Sequence, residues 1–305
     1  MVITFAGSNS FLIKTNVDKI ISSFVAKHTD LGLERIDGEE ADYDRIREAL
    51  ESLPFLATKK LVVLRSPSSN KQFAERAEDL LTNLPDTTDV IIYEPKLDKR
   101  TIYAKYLQKK TDFREFAELD AQTLARWIND EVKNRQSFIT VANANYLIRR
   151  IGPNQQLLAS ELTKLLNMNK TIDRKLIDDL TEPTPQSSTF DLLEAAFSGE
   201  YKRVVELYEE QRRQNVEPQK IIGLLAWQFH ILAVCSWAGN SSSSEIAKAA
   251  HINPYVVQRS LTLAKKLSSA KIKHHIGKLL QLDESTKTSA INADDALQAY
   301  LLTIS

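Results

Sequence analysis

A single cysteine in 305 residues rules out an internal disulfide framework, and the place of Cys235 within an apolar run marks it as a small core group rather than a nucleophile. Net charge is lacking as well. Forty Lys and Arg face forty Asp and Glu, so no overall positive field exists to hold nucleic-acid phosphates, and no acidic excess to draw a basic partner. Any contact with DNA must be local or shared with other chains. The greasiest stretch, Ile221 to Trp237, includes Gln228 and His230 and falls a little short of a membrane span, so it predicts a buried helix. Met1 to Phe5 has neither the basic start nor the long apolar segment of an export signal, and the expected compartment is the cytoplasm.

Catalytic machinery is missing too. A phosphate-binding loop needs Gly-x-x-x-x-Gly-Lys-Ser/Thr, because backbone amides must cradle the phosphates while the lysine reaches the terminal ones. After the first apolar run this chain has Gly7-Ser8-Asn9-Ser10-Phe11-Leu12-Ile13-Lys14-Thr15. Lys14 lies one residue too far from Gly7, and Ile13 stands where the second glycine belongs. Arg65 follows the Leu61 to Leu64 run where a nucleotide hydrolase carries a magnesium-binding acid, and Glu94 after the Val90 to Tyr93 run is a lone carboxylate. The five histidines are scattered at 28, 230, 251, 274 and 275. Adjacent His274 and His275 diverge by about 100° on a helix and cannot share an ion as an i, i+4 pair does. No cofactor, metal, nucleotide or catalytic residue is expected.

Residues 1 to 117 alternate short apolar runs with helical patterns, the signature of an α/β unit with a largely parallel sheet. Val2 to Phe5, Leu61 to Leu64 and Val90 to Tyr93 read as strands covered on both faces, and Phe113 to Phe116 as a strand near an edge. Tyr43, Ile46, Leu50 and Leu53 recur at helical spacing before Pro54, which is expected to end that helix. From Asp120 to about Leu180 the period is helical throughout. Glu182 to Ser188, with two prolines and small polar residues, reads as a linker. Beyond it, several helices form a bundle, with breaks at Ser198-Gly199, Glu217-Pro218, 239–244, Asn253-Pro254 and 283–292. The helix from Pro218 is apolar nearly all round and is expected at the bundle centre. The 43% of apolar residues suffices for two or three cores.

Four local patterns carry a resemblance. Leu53-Pro54-Phe55-Leu56-Ala57-Thr58-Lys59-Lys60 runs into Leu61-Val62-Val63-Leu64, and Ile151-Gly152-Pro153-Asn154 leads to Glu161-Leu162-Thr163-Lys164-Leu165. Phe190-Asp191-Leu192-Leu193 precedes Pro218-Gln219-Lys220-Ile221-Ile222-Gly223 and Gln228-Phe229, and Asn253-Pro254-Tyr255-Val256-Val257 precedes Leu282-Asp283 and Lys287-Thr288. In this order the chain resembles the delta subunits of bacterial replicative clamp loaders, catalytically dead members of the AAA+ architecture.

The resemblance implies an AAA+-like parallel α/β domain without a phosphate loop over 1–117, a small helical lid over 118–183 and a helical collar over 184–305. It further implies that Leu53, Pro54, Phe55 and Leu56 form a tip that plugs an apolar pocket on the sliding clamp, the beta subunit, and that the clamp is opened without nucleotide hydrolysis by this chain. The collar would hold the ATP-hydrolysing gamma or tau subunits and delta-prime, and DNA would be met only within the assembled complex. By pattern alone, Phe55 and Leu56 serve equally as a cap on the α/β core. A second function also stands. Residues 241 to 281 carry seven Lys or Arg against one Glu, and Ser244-Glu245-Ile246-Ala247-Lys248-Ala249-Ala250 before a helix from Pro254 has the spacing of a helix-turn-helix DNA-binding regulator.

Overall fold

The computed structural model describes every residue except Leu56 and Ser305. The chain forms two compact units, Met1–Glu118 and Leu119–Ser305.

The first unit is a five-stranded sheet in the order β2-β3-β4-β1-β5, with every pairing parallel. Its strands are β1 (Val2–Ala6), β2 (Leu33–Asp37), β3 (Lys60–Arg65), β4 (Thr88–Glu94) and β5 (Asp112–Glu115). Four helices connect them: α1 (Ser10–His28), α2 (Tyr43–Glu51), α3 (Lys71–Thr82) and α4 (Ile102–Lys110). Strand β3 shows why its sequence is a continuous apolar run. Val62 and Leu64 face Ile46, Leu50, Phe73 and Leu107 on one side of the sheet, while Leu61 and Val63 face Ile13, Val17, Ile21 and Phe24 of α1 on the other. Alternate side chains leave a strand on opposite faces, so a strand covered on both must be apolar throughout. Each such Leu or Val contributes about 1.5–3 kcal/mol of transfer free energy.

Two features depart from the sequence reading. Strand β2 went unrecognised, because Leu33-Glu34-Arg35-Ile36-Asp37 carries charges on an edge strand whose outer side meets solvent. Helix α2 ends at Glu51 rather than at Pro54, and Ser52 is already extended at ψ 140°. Leu53 therefore leaves the buried stripe and is 70% exposed. The residue before a proline is barred from the helical region, so the helix must stop ahead of it.

The second unit contains α5 (Ala121–Asn134), β6 (Phe138–Ile139), α6 (Val141–Ile151), α7 (Gln155–Met168), β7 (Thr171–Ile172) and α8 (Arg174–Leu180) around one apolar cluster. A second cluster lies among α9 (Pro185–Phe197), α10 (Tyr201–Arg213), α11 (Pro218–Trp237), α12 (Ser243–Ala250), α13 (Pro254–Ala264), α14 (Ser269–Thr288) and α15 (Ala293–Leu302). As expected, α11 is central: Ile221, Leu225, Phe229 and Leu232 are buried, and it packs on α9, α13, α14 and α15. It is the one described helix long and apolar enough to cross a membrane, and half of it is buried in the bundle. Cys235 is buried in the same core, which pushes its thiol pKa up.

The expected linker at 182–188 is largely helix. Thr184 caps α9 by accepting from the Ser187 amide, Pro185 occupies the first helical turn where its missing N–H costs nothing, and Ser187, Ser188 and Thr189 are buried. The break expected at 283–292 is likewise shorter, because α14 continues to Thr288. The remaining breaks fall where proline, glycine and serine place them.

Candidate functional site

The segment joining α2 to β3 leaves the sheet at the amino ends of its strands. Its base is stapled: the Lys60 ammonium donates to Ser52 Oγ at 2.8 Å and pairs with Glu34 Oε2 at 2.8 Å, although Lys60 is only 8% exposed. Lys59 pairs with Asp89 at 3.6 Å, and Thr58 Oγ1 lies 3.4 Å from His28 Nδ1. Lys60 is thus a structural tie rather than a solvated charge on the approach to the strand. Between these fixed ends Leu53 is 70% exposed, Pro54 half-buried and Phe55 95% exposed. Leu56, the fourth expected tip residue, lies outside the described residues. Of the two readings open for Phe55, the structure excludes the core cap. A phenylalanine almost wholly in water costs solubility and adds nothing to folding, which makes it a candidate anchor for a partner.

The opposite end of the sheet, where α/β proteins usually bind ligands, is closed. The amide of Gly7 donates to Glu94 O at 3.2 Å, that of Asn9 to Phe116 O at 3.1 Å, and that of Ile13 to Asn9 O at 3.2 Å. The Leu12 amide donates to the Asn9 side chain at 3.0 Å, and the Asn9 amide group donates in turn to Ala117 O at 3.2 Å. Amides that would cradle phosphate are therefore already bonded to protein. Gly7, at φ +117°, lies so close to the Phe116 backbone that a Cβ would overlap its carbonyl oxygen. Ile13 is buried against the sheet.

The two charges at the strand ends are also occupied. Arg65 pairs with Asp37 at 3.2 Å. Glu94 is buried and accepts from Ser68 N (2.9 Å), Ser68 Oγ (2.7 Å) and Tyr103 Oη (2.9 Å). Burial raises the pKa of its carboxyl group against the lowering effect of those bonds. The role of Asn9 was missed in the sequence, although a Gly-x-Asn preceding an apolar helical period is a capping signal. No cluster of His, Cys, Asp and Glu suited to a metal ion occurs among the described residues.

The helix-turn-helix reading finds its two helices but not its interface. Ser242 and Glu245 form a capping box at the start of α12, and His251 ends it in the left-handed region at φ 55°. Helix α13, which would enter the groove, buries Val256, Val257, Ser260 and Ala264. Its arginine is consumed internally. Arg259 pairs with Asp191 at 2.6 Å and Glu194 at 3.6 Å, and its guanidinium lies 4.6 Å from the centre of the Phe190 ring. A recognition helix needs free side chains to reach base edges, so the regulator reading is not favoured.

Residues 4–116 match the family model of the DNA polymerase III delta subunit, and residues 186–304 match that of its C-terminal domain. The DNA polymerase III subunit delta of Bacillus subtilis (strain 168) is 23% identical over 314 residues, spanning 97% of this chain and 90% of the relative. The solved structure of the Bacillus subtilis DNA clamp loader delta protein is similar with a TM-score of 0.83 at 21% identity, over 99% of this chain and 94% of that one. With both family models matched in chain order and together spanning most of its length, this chain belongs to the DNA polymerase III delta subunit family.

Proposed function

We propose that this protein is the clamp-opening member of a bacterial clamp loader, binding the sliding clamp through Leu53, Pro54, Phe55 and Leu56. The observation that carries the reading is Phe55, 95% exposed on a segment whose base is stapled by Lys60. Pre-organisation of that kind lowers the entropy lost on docking. The α/β domain, 1–117, presents the tip. The lid, 118–183, links domains, and the collar, 184–305, assembles with the ATP-hydrolysing subunits and delta-prime. ATP bound by those partners exposes or hides the tip, and so acts through its differential affinity for two arrangements. The protein works in the cytoplasm and meets DNA only inside the assembly. A tagged copy purified from its native cell is expected to bring down the clamp and the ATPase subunits together. Recovery of neither would overturn the proposal.

The chain itself neither binds nor hydrolyses ATP in this reading, because the amides of Gly7, Asn9, Leu12 and Ile13 already donate within the protein. Equilibrium dialysis with magnesium and ATP is expected to show no retention at millimolar nucleotide. Micromolar binding abolished by Lys14→Ala would mean that the displaced lysine still serves a phosphate site.

A further inference from the structure

Five large apolar side chains of the first unit are more than three-fifths exposed among the described residues: Met1, Leu31, Leu53, Phe55 and Ile102. All but Ile102 lie at the amino ends of the strands, on the side of the sheet from which the α2–β3 segment emerges. Leu31 is the one of these that lies outside the α2–β3 segment yet next to it in the fold. It sits in a single helical turn, Asp30–Gly32, between α1 and β2, and is 67% exposed.

Two features hold that turn against the tip. Strands β2 and β3 pair Leu33 with Leu61, and one step before that register Gly32 lies on the tip segment: a Cβ on Gly32 would overlap the Lys59 carbonyl oxygen and come within 3.2 Å of Ala57 Cβ. Only glycine allows so close an approach. From the other side, His28 at the end of α1 meets Thr58.

The turn is also strained. Thr29 has φ 74° and ψ 160°, a region that glycine favours and that a β-branched residue rarely adopts. Its amide donates to Val25 O at 3.0 Å, and its hydroxyl accepts from the Leu31 amide at 3.3 Å. Strain kept at an exposed turn that aims one apolar side chain outward is a mark of function rather than of packing.

We infer that Leu31 is a second anchor for the clamp, docking from the same end of the sheet as Phe55 on a turn packed against the tip segment. The inference rests on the reading that the α2–β3 segment binds the clamp. The occupant follows from continuity: a partner that buries Phe55 must approach the amino ends of β2 and β3, and Leu31 stands there on a turn packed directly against the tip segment.

Leu31→Ala and Phe55→Ala are to be compared with the wild-type chain by surface-plasmon titration against the purified clamp, beside thermal melts. Both variants should melt like wild type, since neither side chain is buried. Leu31→Ala is expected to weaken binding about 5- to 20-fold, and Phe55→Ala more strongly, about 100-fold. Leu31→Glu should exceed Leu31→Ala, because it places a charge against an apolar pocket. Loss of binding for Phe55→Ala with wild-type affinity for both Leu31 variants would overturn this inference and leave the clamp reading standing. Wild-type affinity for all three would overturn both.

Discussion

Phe55→Ala is expected to weaken clamp binding by about 100-fold with no change in melting temperature. The two halves of that expectation have separate causes. In the free chain the ring is 95% exposed, so its removal strips almost nothing from the core. A buried phenylalanine would cost about 3–5 kcal/mol on the same substitution. In the proposed complex the ring would fill a pocket on the clamp, and truncating an aromatic anchor at an interface centre costs roughly 2–4 kcal/mol, of which 2.7 corresponds to ~100-fold in affinity. Leu53→Ala, also exposed but nearer the helix end, should cost less. Titration against the clamp and a thermal melt of the same preparation decide the matter. A variant that binds at wild-type strength removes Phe55 from the site, and one that melts several degrees lower returns it to the core.

What could be read from the chain beforehand followed the range of the forces involved. Strands β1, β3 and β4 were legible because burial on both faces writes an unbroken apolar run, whereas β2 was not, because Glu34 and Arg35 sit at an edge where only pairing with β3 defines the strand. Helix α11 was legible from its composition. The start of α9 was hidden, because Pro185 and the serines after it resemble a linker unless one knows that Ser187 and Ser188 are covered by neighbours distant in sequence. The tip shows the same division. Pro54 announced a break and Phe55 an apolar residue after it, both local facts. That Lys60 is buried on Glu34 and that Gly32 packs against Lys59 depend on contacts more than 20 residues apart, which no local pattern encodes, and that Phe55 faces water follows only once the whole sheet is assembled.

Arg259→Ala is expected to cost about 2–3 kcal/mol of folding stability in the second unit, ~5–10 °C in melting temperature. The side chain is 10% exposed and bridges Asp191 and Glu194, which Arg149 contacts from the other side at 2.6 and 3.2 Å. Its removal leaves two partly covered carboxylates with a single guanidinium and takes a cation from the face of Phe190. The loss is smaller than that of breaking a fully buried pair, because Asp191 and Glu194 retain 25% and 35% exposure and water can reach them. Arg259→Lys should recover only part of the loss, since an ammonium cannot engage two carboxylates and a ring together as the planar fork does. Affinity for the clamp should stay at its wild-type value at temperatures where the variant is folded, because the tip belongs to the other unit. If α13 were instead a recognition helix, Arg259 would be free to contact DNA, and its loss would weaken DNA binding while leaving the melt unchanged. A thermal melt therefore separates the readings: an Arg259→Ala variant as stable as wild type would mean that the Arg149–Asp191–Glu194–Arg259 network holds nothing together, and would reopen α13 as a nucleic-acid-binding helix.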